Sequence, residues 1–86
     1  MDTQSYQKML QKFLDHFILP KYEDILSYEI GLLEYKFHDK FIFDIRFFMD
    51  GTEQSVEDEI SDDISHGLKV LGINKDVTFD TFFETG

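Results

Sequence analysis

The sequence predicts an α+β fold: a two-layer sandwich in αββαβ order, with two helices on one face of a three-stranded, mostly antiparallel sheet of strand order 2-1-3. Three observations point there. Two stretches carry apolar residues at helical spacing, one near the start and one after residue 55. The residues between them, and those after the second, alternate with period two. The second helical stretch therefore separates two strands, and such a crossover sets those strands parallel.

The first helix is read from TQSYQKMLQKFLDHFIL, where Tyr6, Met9, Leu10, Phe13, Leu14, Phe17 and Ile18 form one stripe. Asp2 or Thr3 supplies the N-cap. Pro20 disfavours helical geometry at Leu19 and ends the helix there. KYEDIL follows, either as a turn or as a short second helix starting at Pro20. The period-two pattern after it favours the turn.

SYEIGLLEYKFHDKFIFDIRFFMD then reads as a hairpin. Phe41, Phe43, Ile45, Phe47 and Met49 share one face of its second strand. A three-residue loop, His38-Asp39-Lys40, pairs 37 with 41, 35 with 43 and 33 with 45. That register puts Leu33, Tyr35 and Phe37 on the same face as Phe41, Phe43 and Ile45, and sets Gly31 opposite Phe47. A two-residue turn spoils the match. Before Gly31 the parity changes, so Gly31 or the Leu32-Leu33 pair is expected to mark a bulge.

DGTEQSVEDEISDD, residues 50–63, opens with a turn and leads into the second helix. Thr52 or Ser55 can cap it. Val56, Ile60, Ile64, Leu68 and Leu71 keep helical spacing, and Gly72 suits the left-handed position past its end. Gly67 inside this helix suggests a close approach to the sheet. Val77, Phe79 and Phe83 mark the third strand.

Composition narrows function. The 86 residues make one domain, with 42% hydrophobic residues and ten Phe, enough for a packed core. No cysteine is present, which removes disulfides, thiolate metal sites and cysteine nucleophiles. The expected location is cytoplasmic, or the virion if the chain is phage-encoded, a class in which small acidic accessory proteins recur. Net charge is −10, from eighteen acidic residues against eight Lys and Arg, and the cations are scattered. Direct binding to nucleic acid needs a basic patch, so neither nucleic acid nor an anionic membrane is an expected partner.

No catalytic, cofactor-binding or metal-ligating set emerges. His16, His38 and His66 are isolated, and residues 50–63 lack the spacing of a calcium loop. Two surfaces remain. If the helices cover the Phe43 face, the other sheet face carries Tyr28, Ile30, Leu32, Ile42, Arg46 and Phe48, an apolar centre among charges that fits a protein interface. The alternative is the acidic helix. Acids in its first turn complement the helix dipole. The remainder of Glu53, Glu57, Asp58, Asp62 and Asp63 has no basic residue to offset it before Lys69, and such a row can mimic DNA phosphates toward a basic groove. The expectation is a non-enzymatic module that binds a protein partner or a second copy, with a DNA-mimic inhibitor as the alternative.

Overall fold

A computed structural model of the chain describes residues 2–51 and 53–85, apart from the side chains of residues 34, 35 and 37. The elements run α1 (Thr3–Phe13), a π-helical turn (Leu14–Ile18), β1 (Ile25–Phe37), β2 (Lys40–Met49), α2 (Gln54–Leu71) and β3 (Val77–Thr85). This is the α+β domain that the alternating patterns imply.

The helix α1 forms because Tyr6, Leu10, Leu14 and Ile18 recur every fourth residue, and all four are buried. The Asp2 carboxylate accepts a hydrogen bond from the Ser5 amide (2.9 Å) and so caps the first turn. The backbone hydrogen bond, supported by the Ser5 hydroxyl, holds that carboxyl below its ordinary range. The last turn widens, with the Leu19 amide donating to the Leu14 carbonyl, five residues back. Pro20 has no amide to extend the ladder, and the chain leaves the helix.

The hairpin register differs from the expected one. His38 and Asp39 both adopt left-handed backbone angles (φ 50° and 62°), and Phe37 pairs with Lys40. That is a two-residue hairpin turn, whose twist matches the strands, and His and Asp tolerate the left-handed region better than most residues. The shorter turn sets even-numbered β1 residues opposite odd-numbered β2 residues. A register shift between Leu32 and Lys36 absorbs extra β1 residues, beside the Leu32-Leu33 pair where a bulge was expected. After it, Leu32, Ile30 and Tyr28 pair with Phe43, Ile45 and Phe47, and Gly31 faces Asp44 instead of Phe47. The side chains of Tyr35 and Phe37, on which the expected alignment relied, lie outside the described residues. A second shift follows Ile25.

The strand order is also corrected. It is β1-β2-β3, with β2 antiparallel to β1 and parallel to β3, a mixed sheet. The crossover does set β3 parallel to β2, but β3 takes the position beside β2. The reason lies in β2 itself. Phe43, Ile45, Phe47 and Met49 are buried on one face, and Ile42 is buried on the other. Such a strand needs a neighbour along both edges, whereas the bulged β1 suits an edge.

Both helices pack on the Phe43–Ile45–Phe47 face. The core joins Leu10, Leu14 and Ile18 to Ile60, Ile64 and Leu68 across these residues. Tyr28, Phe47 and Phe83 are paired in one row across the sheet, with Phe47 and Phe83 stacked (centroids 5.5 Å). The backbone at Glu53 caps α2 in place of Ser55, and Thr52 lies outside the described residues. Gly72 closes α2 at φ 76°, as its position implies. Gly67 meets the Phe13 ring: a Cβ there would lie 2.3 Å from Phe13 Cζ. Among the described residues no helix is long and apolar enough to cross a membrane.

Candidate protein-interaction surfaces

Three surfaces stand out, and the strand pairing builds the first. Since the helices take the Phe43 face, the opposite face shows Ser27, Glu29 and Gly31 of β1. It also carries Ile42, Asp44, Arg46 and Phe48 of β2, and Thr78, Asp80, Phe82 and Glu84 of β3. The structure thus brings Ile42, Arg46 and Phe48 together there. It moves Tyr28, Ile30 and Leu32 to the helix-covered side, because the turn holds two residues instead of three, which reverses their parity, and the shift beyond it leaves that parity unchanged. Tyr28 and Ile30 are packed against the main core. The Tyr28 hydroxyl donates to Asp15 (2.5 Å), and burial together with that carboxylate raises its pKa.

Phe82 joins the open face and is 48% exposed. It pairs with Arg46, while Phe48 pairs with Glu84, so the two rings are diagonal neighbours. The Arg46 guanidinium lies 3.5 Å from the Glu84 carboxylate. Asp44 pairs with Asp80, and its Oδ1 is buried without a hydrogen-bond partner. The sequence carried a signal for Phe82: two adjacent rings, Phe82 and Phe83, in a period-two strand must point to opposite faces.

The acidic helix is the second surface. Asp58, Glu59 and Asp62 are exposed on α2, with Glu53 at its start, and Glu57 is half-buried. Asp58 accepts from Gln54 (2.9 Å), one turn earlier. Asp63 departs from the expectation that nothing basic offsets the run before Lys69. Lys21, from the turn after α1, reaches it at 2.7 Å and stands 3.7 Å from Glu59. The Tyr22 hydroxyl also donates to Asp63. Burial would raise the Asp63 carboxyl, but the hydrogen bonds from Lys21 and Tyr22 outweigh it and hold it below its ordinary value of 3.8. The same bond raises Lys21. Lys21 and Tyr22 therefore clamp the turn to α2.

This clamp sets a pH dependence. A carboxyl with a depressed folded pKa contributes stability that is present above the unfolded value and is lost as pH falls through the folded one. Replacement of Asp63 by Asn is expected to lower stability by about 1 kcal/mol at neutral pH, the scale of one hydrogen bond. The variant should also lose less than the wild type as pH drops below 3.8. Urea melts across that range check both effects. Equal acid sensitivity in the two proteins contradicts the assignment.

The third surface was not foreseen. Met9, Phe13, Phe17 and Leu71, with Lys12 and His16, line an apolar groove of about 510 Å³ between α1 and the end of α2. Phe17 is 66% exposed. The sequence signal was the width of the first apolar stripe, which holds more side chains than one helix face buries.

Among the described residues no three His, Asp or Glu side chains are grouped to hold a metal ion. No protein-family model matches the chain, and no curated protein or solved structure matches it either.

Proposed function

We propose that this chain is a small non-enzymatic protein-interaction module that docks a protein partner through the uncovered face of its sheet. One observation carries the reading: Phe48 and Phe82 are diagonal neighbours on the face that neither helix covers, within a border of charged residues. An apolar centre with a polar border is the usual build of a protein interface. The border also selects the partner. Glu29, Asp44, Asp80 and Glu84 outnumber Arg46, with Lys40 only at the far end. Two such faces would repel one another, so the reading favours a different protein with basic residues around its contact over a second copy. Such a module suits the cytoplasm, or a viral particle if phage-encoded.

The direct test is substitution. Phe82→Ser and Phe48→Ser together are expected to weaken binding of the partner at least tenfold, as loss of central aromatic anchors does. Phe82→Ser alone should leave stability within about 0.5 kcal/mol, because the ring is half-exposed. Isothermal titration and urea melts read the two quantities. Unchanged affinity in the double variant refutes the reading.

The exposed row Asp58, Glu59 and Asp62 supports a second reading, a DNA-mimic inhibitor that presents α2 to a basic groove. The Lys21 clamp on Asp63 weakens it by withdrawing one carboxylate from the row. Asp58→Asn with Asp62→Asn should abolish binding on this reading and spare it on the first.

A further inference from the structure

We propose that the groove between α1 and α2 is a second docking site, which takes an amphipathic helix carrying large apolar residues on one face and acidic residues beside them.

The groove is built by several features of the chain. Phe13 rests on Gly67, where the missing side chain gives its ring a seat. Phe17 stacks on Phe13, with centroids 5.5 Å apart and the planes 28° from parallel. The widened turn at Leu14–Ile18 keeps Leu14 and Ile18 in the core while Phe17 stays exposed. Widened turns of this kind recur at functional sites. Met9 and Leu71 complete the apolar lining.

Charge identifies the occupant. The chain carries a net −10, yet none of the six residues lining the groove is acidic, and Lys12 and His16 stand on its border. Lys8 precedes Lys12 by one helical turn. The nearby carboxylate, Asp15, is held by the Tyr28 hydroxyl at the sheet side. An open apolar trough with a cationic border matches helix-in-groove recognition, in which residues at i, i+3, i+4 and i+7 seat in the trough. Acidic residues beside that stripe would meet Lys12. A bilayer fits less well, since the site is a trough and the whole chain would be repelled by anionic lipid. A small ligand lacks the convergent polar groups that orient one in a pocket.

The test uses two fluorescent helical peptides with the same Leu and Phe stripe, one flanked by Glu and one by Lys. Anisotropy titrations against the full chain should show binding of the Glu peptide and at least tenfold weaker binding of the Lys peptide. Phe17→Asp should reduce the Glu-peptide affinity at least tenfold. Lys12→Glu should reverse the preference, and neither residue is part of the buried core, so circular dichroism should show both variants folded. The proposal is overturned if neither peptide binds, if both bind equally, or if binding survives Phe17→Asp. It is also overturned if the chain associates with anionic vesicles and not with the peptide, or if Phe17→Asp merely dissolves a dimer of the chain.

Discussion

Replacing Phe47 with alanine is expected to remove about 3–5 kcal/mol of folding stability. The ring is fully buried at the centre of β2, stacked on Phe83 and 6.2 Å from Tyr28 (centroid to centroid). It therefore touches both neighbouring strands, and it belongs to the same core as Leu10, Leu14 and Ile64. Three costs coincide: lost transfer of the ring, a cavity that rigid strands on both sides cannot close, and loss of the stack. Domains have about 5–15 kcal/mol in total, so a large part of the stability would go. Urea denaturation of Phe47→Ala beside Phe82→Ala reads this. The first should shift the midpoint strongly and the second little, although both rings lie in the same sheet. Similar shifts would mean that the two faces are not covered differently.

Gly67→Leu is expected to cost about 1–3 kcal/mol through overpacking. A Cβ at residue 67 would already lie 2.3–2.6 Å from the Phe13 ring, so a larger side chain must expel that ring or part the two helices. The sign of the smaller change depends on background. Gly67→Ala should destabilise the wild type. In a Phe13→Ala background the clash is gone, and the same change should stabilise by about 0.5–1 kcal/mol through helix propensity. A double-mutant cycle from thermal melts measures the coupling. Additive effects would show that Phe13 does not seat on Gly67.

The parts of the fold that were legible in the sequence are those fixed by local spacing. Tyr6, Leu10 and Leu14 announce α1, and Ile60, Ile64 and Leu68 announce α2, because a stripe at helical spacing has only one way to be buried. The hairpin register was not legible, because two local preferences conflicted there. His38 and Asp39 favour a two-residue turn, whereas the match of Leu33, Tyr35 and Phe37 with Phe41, Phe43 and Ile45 favours three; the turn prevails, and the shift between Leu32 and Lys36 keeps the parity it sets. Strand order depends on long-range contact, but Ile42, buried across from Phe43, marks β2 as central in retrospect. For the candidate surfaces, Ile42, Arg46 and Phe48 were grouped together because all three lie on one strand. Tyr28, Ile30 and Leu32 change face because the turn holds two residues and not three. The Lys21–Asp63 contact joins residues 42 positions apart, and no local pattern announces it.

The uncovered sheet face is tested most directly by hydroxyl-radical footprinting of the chain, free and in complex with the partner purified from the cells that produce it. The expected result is that Phe82 and Phe48 are oxidised in the free chain and protected in the complex, while the peptide spanning Glu53 to Asp62 reacts equally in both. Phe82 and Phe48 reacting equally in the two states, with protection confined to α2, would contradict the account and leave the acidic helix as the working surface.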